Sequence, residues 1–174
     1  MAKFGYETLG TTGMPGLIES IIKGSVFTCP LSGKADSITV GLVYVTGAWT
    51  GKVKCAIYKH SDLSLVGVTE ERTITPPTTP GAWYIFNFAA PKPSLAAGTD
   101  YVLVAWGESA AGDVGILHDA GAANQRHYQN IAYNGFPTPL VPTHGTEKDS
   151  IYCTYTPSAP KGTIAIHAKL LGVI

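Results

Sequence analysis

Ser37-Ile38-Thr39-Val40-Gly41-Leu42-Val43-Tyr44 repeats with a period of two, and Ile38, Val40, Leu42 and Tyr44 share a face. Side chains alternate across a β-strand, so the stretch reads as a strand with one buried side. Residues 52–58 repeat the pattern, with Val53, Cys55 and Ile57 inward and Lys52 and Lys54 outward. Residues 82–88 and 101–106 are more continuously apolar, as central strands are. Residues 150–155 and 163–170 alternate again.

Turn chemistry separates these runs. Gly47 to Gly51 divides two of them, and Pro76-Pro77-Thr78-Thr79-Pro80-Gly81 cannot lie inside a sheet. Pro91-Lys92-Pro93 and Ala97-Gly98-Thr99 bracket a short link. Phe136-Pro137-Thr138-Pro139 and Pro142 mark a long irregular loop. Residues 16–23 are the one weak helix candidate. Short strands punctuated by Gly and Pro predict an all-β, antiparallel β-sandwich, and the long connections favour the jelly-roll type. Residues 1–157 form the expected domain. Residues 158–174 form a hinge, with Pro160 near its start, and an added strand.

Composition narrows the function classes. The 174 residues suit one domain. Charged residues make up 14%, against about 25% in ordinary globular proteins. Twelve basic residues balance twelve acidic ones, with no Lys or Arg run, which argues against nucleic-acid binding. No run of about 18 apolar residues is present to span a membrane. The opening Met1-Ala2-Lys3-Phe4-Gly5 does not read as a secretory signal: either a signal has been removed, or the protein is made in a cytoplasm and released by another route, as virion proteins are. Cys29, Cys55 and Cys153 read as buried thiols, with a Cys29 disulfide to one of the others as the alternative.

From Phe4 to Pro157 the chain resembles a family of jelly-roll modules of bacterial, archaeal and viral surface proteins. Phe4-Gly5-Tyr6-Glu7-Thr8-Leu9-Gly10, Gly24-Ser25-Val26-Phe27-Thr28 and Cys55-Ala56-Ile57-Tyr58 carry part of the resemblance. Trp83-Tyr84-Ile85-Phe86-Asn87-Phe88, then Leu95, Ala97-Gly98-Thr99 and Tyr101, carry more. Phe136-Pro137-Thr138-Pro139-Leu140 and Ser150-Ile151-Tyr152-Cys153-Thr154-Tyr155 complete it. The resemblance implies a scaffold used for surface display, glycan contact or virion and filament structure.

No titratable residue falls into H-E-x-x-H, G-x-S-x-G or a phosphate-binding loop, so a non-enzymatic, cofactor-free protein is expected. His118-Asp119, Arg126-His127 and Asp113 gather in one region. Solvated loop charges are the preferred reading there, a structural Ca2+ site the alternative, and zinc on His118 and His127 a weaker one. Trp49, Trp106, Glu108, Arg126, Tyr128 and Tyr133 form a candidate glycan platform, because exposed aromatics stack on sugar faces. The competing reading is that these aromatics cap the core.

Ile164, Ile166, Ala168, Leu170 and Val173 line the added strand, which packs at home or pairs with a neighbour's sheet edge. The expected function is a self-assembling or decorating subunit of a virion or extracellular filament, partnered by its own copies or by other subunits. The alternative is a carbohydrate-binding module.

Overall fold

The computed structural model describes residues 1–11 and 15–159. The assembly residues Ile164, Ile166, Ala168, Leu170 and Val173 lie outside that range. Among the described residues there are sixteen strands and no helix. They begin with β1 (Ala2–Gly5), β2 (Gly16–Leu17), β3 (Ile21–Cys29), β4 (Gly33–Thr46), β5 (Gly51–Lys59) and β6 (Leu65–Val68). Next come β7 (Arg72–Ile74), β8 (Ala82–Asn87), β9 (Ser94–Leu95), β10 (Thr99–Gly107) and β11 (Asp113–Ile116). The last five are β12 (His118–Ala120), β13 (Arg126–Asn130), β14 (Thr143–Gly145), β15 (Glu147–Asp149) and β16 (Ile151–Pro157).

The architecture is an antiparallel β-sandwich. One sheet runs β1-β16-β4-β11-β2, with β8 and β9 on the other edge of β4. The second runs β14-β13-β3-β10-β5-β6, with β7 also on β5. A small β12-β15 pair stands beside them. The alternation read from residues 37–44 holds: Ile38, Val40 and Leu42 are fully buried between the sheets, with Tyr44 packed against them. Val53, Cys55 and Ile57 enter the same core from the facing sheet, joined by Phe86, Leu103, Ile151 and Cys153. Residues 16–23 are not helical. They form β2 and the start of β3, whose Ile22 and Lys23 are buried on opposite sides of the strand. All three cysteines are free and buried, so the Cys29 disulfide is not formed.

One edge of the sandwich is stapled shut. The Glu70 amide donates to the Asn87 carbonyl at 2.8 Å, and the Asn87 amide donates to the Glu70 carboxylate at 3.0 Å. Arg72 donates to the Ile85 carbonyl. These bonds occupy backbone groups that an edge strand would otherwise offer to another chain.

A second apolar core lies on the outer side of the β14-to-β6 sheet. Ile22, Ala56, Tyr58, Val102, Val104 and Trp106 are buried there with Leu140, under residues 131–142. The Tyr58 hydroxyl donates to the Pro137 carbonyl at 2.8 Å, and the Leu140 amide to the Leu63 carbonyl at 3.0 Å. The long proline-rich loop is therefore a roof.

Candidate functional site

The six residues of the expected glycan platform do not form one surface. Trp49 and Trp106 are fully buried, which agrees with the core-capping reading and corrects the platform one. Trp49 folds back over Gly51, where a Cβ would sit 2.5 Å from the indole, so glycine is what lets the ring lie down. Trp106 lies under the roof, 5.2 Å from the Tyr133 ring and 5.1 Å from Phe136. These rings close around the chain's own Lys54, whose ammonium sits 4.3 Å from the Tyr133 centroid and donates to the Asn134 carbonyl. Burial lowers the Lys54 pKa. Tyr133 donates to Glu71 at 2.9 Å, and Glu71 pairs with Lys52 at 3.1 Å. Glu108 accepts the Lys52 amide at 2.7 Å and anchors the start of β5.

Arg126 and Tyr128 point to the opposite side of β13, over Ser25 and Lys23. There they belong to a buried polar cluster. Asp149 is fully buried and accepts Arg126 Nη2 at 2.6 Å, Arg126 Nε at 3.1 Å and the Ser25 hydroxyl at 2.9 Å. Glu147 meets Arg126 Nη1 at 3.3 Å. Burial, reinforced by the Arg126 charge, pushes Lys23 down to about 8. His118 is lowered by the same two causes. The arrangement clamps the β12-β15 pair onto β3 and β13. Cutting either half would leave a buried charge unpaired.

The same geometry disperses the residues named for a metal. His118 feels the Arg126 charge, whereas His127 occupies the other side of β13, so the two do not form a pair. Asp113 bonds Thr46, and Asp119 accepts from the Tyr6 hydroxyl at 2.5 Å and the Thr11 amide at 2.9 Å. Among the described residues, no three His, Cys, Asp or Glu side chains are placed to hold a metal ion.

The face best placed to meet a partner is the outer side of the β1-β16-β4-β8 strands, which the sequence reading did not single out. Its cross-strand rows are Lys3–Thr154–Ser37–Asn87, Gly5–Tyr152–Thr39–Ile85 and Gly41–Trp83. Trp83 and Tyr152 contact edge to face, with centroids 5.3 Å apart. Ile85 is 51% exposed. Lys3 is the one charged residue in these rows, and it is held by Glu7 at 2.7 Å. The available signal was the mirror image of the core alternation: the residues between Ile38, Val40 and Leu42 make up this face.

A scan against protein-family models finds no match to this chain, and a search of curated proteins finds none.

Proposed function

We propose that this chain is a non-enzymatic structural or surface-display subunit, a jelly-roll-type module that assembles on or decorates a virion or extracellular filament. One observation carries the reading: the outer face of β1-β16-β4-β8 sets Trp83, Tyr152 and exposed Ile85 together in neighbouring rows that carry no charge, with Lys3, paired to Glu7, in the row beside them. Interface centres are depleted in charge and enriched in aromatics in this way. The polar networks support it too, because Arg126, Asp149, Glu71 and Asp119 hold the chain to itself.

The test is the mass of the full chain by light scattering, with and without Ile85→Lys. Assembly that Ile85→Lys weakens at least about tenfold supports the reading, since a charge placed in an apolar contact costs more than a kcal/mol. A wild-type chain that stays monomeric up to millimolar concentration sinks self-assembly. Deleting residues 163–174 in the same assay asks whether the added strand contributes.

The alternative, a carbohydrate-binding module, is favoured by the Trp83–Tyr152 pair near Thr154 and Asn87, which offer an apolar ring beside hydroxyl and amide groups. Glycan-array binding that is unchanged in Trp83→Ala and Tyr152→Ala would count against it.

A further inference from the structure

Three histidines from separate parts of the chain meet beside the roof. His60 follows β5, His127 lies in β13 and His144 lies in β14. His127 is the middle ring. Its centroid is 5.2 Å from that of His60 and 4.5 Å from that of His144, with interplanar angles of 80° and 84°. His127 and His144 are directly opposite in the β13-β14 ladder. His127 is 1% exposed, while His60 and His144 face solvent.

The hydrogen bonding of His127 suits only the neutral ring. Nδ1 lies 3.4 Å from the Gln125 carbonyl and takes the donor role there, and Nε2 is buried without a partner. A proton on Nε2 would make a buried cation with nothing to accept it. Among the described residues, the strands packed against His127 give it no counter-charge. β3 presents Gly24 opposite His127, and β10 continues the row with Val104. Lys23, Arg126, Glu147 and Asp149 cluster over Ser25, on the other side of β13, where both acids are engaged by Arg126. Near His60, Asp62 is held by Ser64 and Lys59, and Asp100 by Thr28.

We infer that the His60–His127–His144 stack is an acid-sensitive latch: neutral, it holds β14 and the 131–142 roof on the sheet, and protonated, it releases them. His144 and His60 both oppose a charge on His127, and the buried ring cannot reach water without leaving its site. Release would bare the Trp106, Tyr58 and Leu140 core and the β13 edge, which together make an apolar patch beside unpaired backbone. Burial, with His144 adding to it, lowers the His127 pKa to about 4, whereas the released ring titrates near 6.5. The folded pKa is thus the depressed one. The latch is intact above about pH 6.5 and weakens as pH falls toward about 4.

The test is hydrogen exchange on the full chain, corrected for intrinsic rates, at several pH values from neutral to acidic. Protection across 131–145 should fall at least about tenfold between roughly pH 7 and 5, while β4 and β16 keep theirs. His127→Phe preserves a flat ring without a proton site and should keep 131–145 protected in acid. His144→Asn, at an exposed position, removes one charge and should shrink the loss even where His127→Phe folds poorly. Protection that is independent of pH overturns the latch. So does a loss shared equally by β4 and β16, or one of the same size in both variants.

Discussion

On the outer side of the β14-to-β6 sheet, Trp106 and Tyr58 are fully buried beneath residues 131–142, whereas across the sandwich Ile85 stands half exposed beside Trp83 and Tyr152. Both outer faces carry large apolar residues on strands whose inner faces already fill one core. The first face is closed within the chain by a proline-rich roof and by Lys54, held among three rings. The second keeps Ile85 in water, in a row without charge. The difference separates aromatics that serve stability from aromatics available to a partner, and local sequence does not separate them: Trp106-Gly107-Glu108 reads as a strand end at the surface, yet its indole is interior.

The sharpest way to break the comparison is Trp106→Ala. Removing a fully buried indole from a packed core costs about 3–5 kcal/mol, and here it would also uncouple Tyr133, Phe136 and Lys54. Chemical denaturation should show that loss. Leu140→Ala, on the roof itself, should cost about 2–4 kcal/mol by the same mechanism. If both variants kept wild-type stability, the roof would be a surface loop and the two faces would not differ.

Legibility followed the same division. Strands β4, β5, β8, β10 and β16 could be read from the sequence because each keeps a strict inner face, from Ile38-Val40-Leu42 to Ile151-Cys153-Tyr155. Strand β3 could not, because its two buried sides differ in kind: Ile22 enters the roofed core while Lys23 and Ser25 enter the polar cluster, which leaves neither an apolar alternation nor a continuous apolar run. Exposure of the tryptophans was illegible for a different reason. Only the fold places the Trp49 ring on Gly51 and the 131–142 segment over Trp106. The histidine stack and the Arg126–Asp149 clamp share that origin, since their members come from strands far apart in the chain.

A control of opposite sign sharpens the acid response of the roofed face. Glu19 lies at the end of the sandwich, where burial first and the neighbouring Asp113 second raise its pKa to about 7. Its folded pKa is the raised one, so its contribution is full below about pH 4.5 and is lost as pH rises toward about 7. Glu19→Gln imitates the protonated form and should stabilise the chain at neutral pH by about 1 kcal/mol, with little change near pH 4. A pH–stability profile in which Glu19→Gln flattens the basic limb and His127→Phe the acidic limb assigns the limbs to separate regions. If either variant moved both limbs, the two regions would be coupled.

The smallest expected effect on stability tests the open face. Ile85 lies on the outer side of β8, a strand paired on one edge with β4 and stapled on the other by Glu70 and Arg72. Half of its surface is already in water, so Ile85→Lys should move stability by no more than about 0.5 kcal/mol, as surface substitutions do. Lysine is also a residue that natural edge strands use to repel other chains. The same change sets a charge at the end of the Gly5–Tyr152–Thr39–Ile85 row, where a partner would have to desolvate it. A face kept for a partner therefore answers with nearly unchanged stability and lost association. A face that only supports the fold answers the other way, with a stability loss approaching that of Leu140→Ala and no change in assembly.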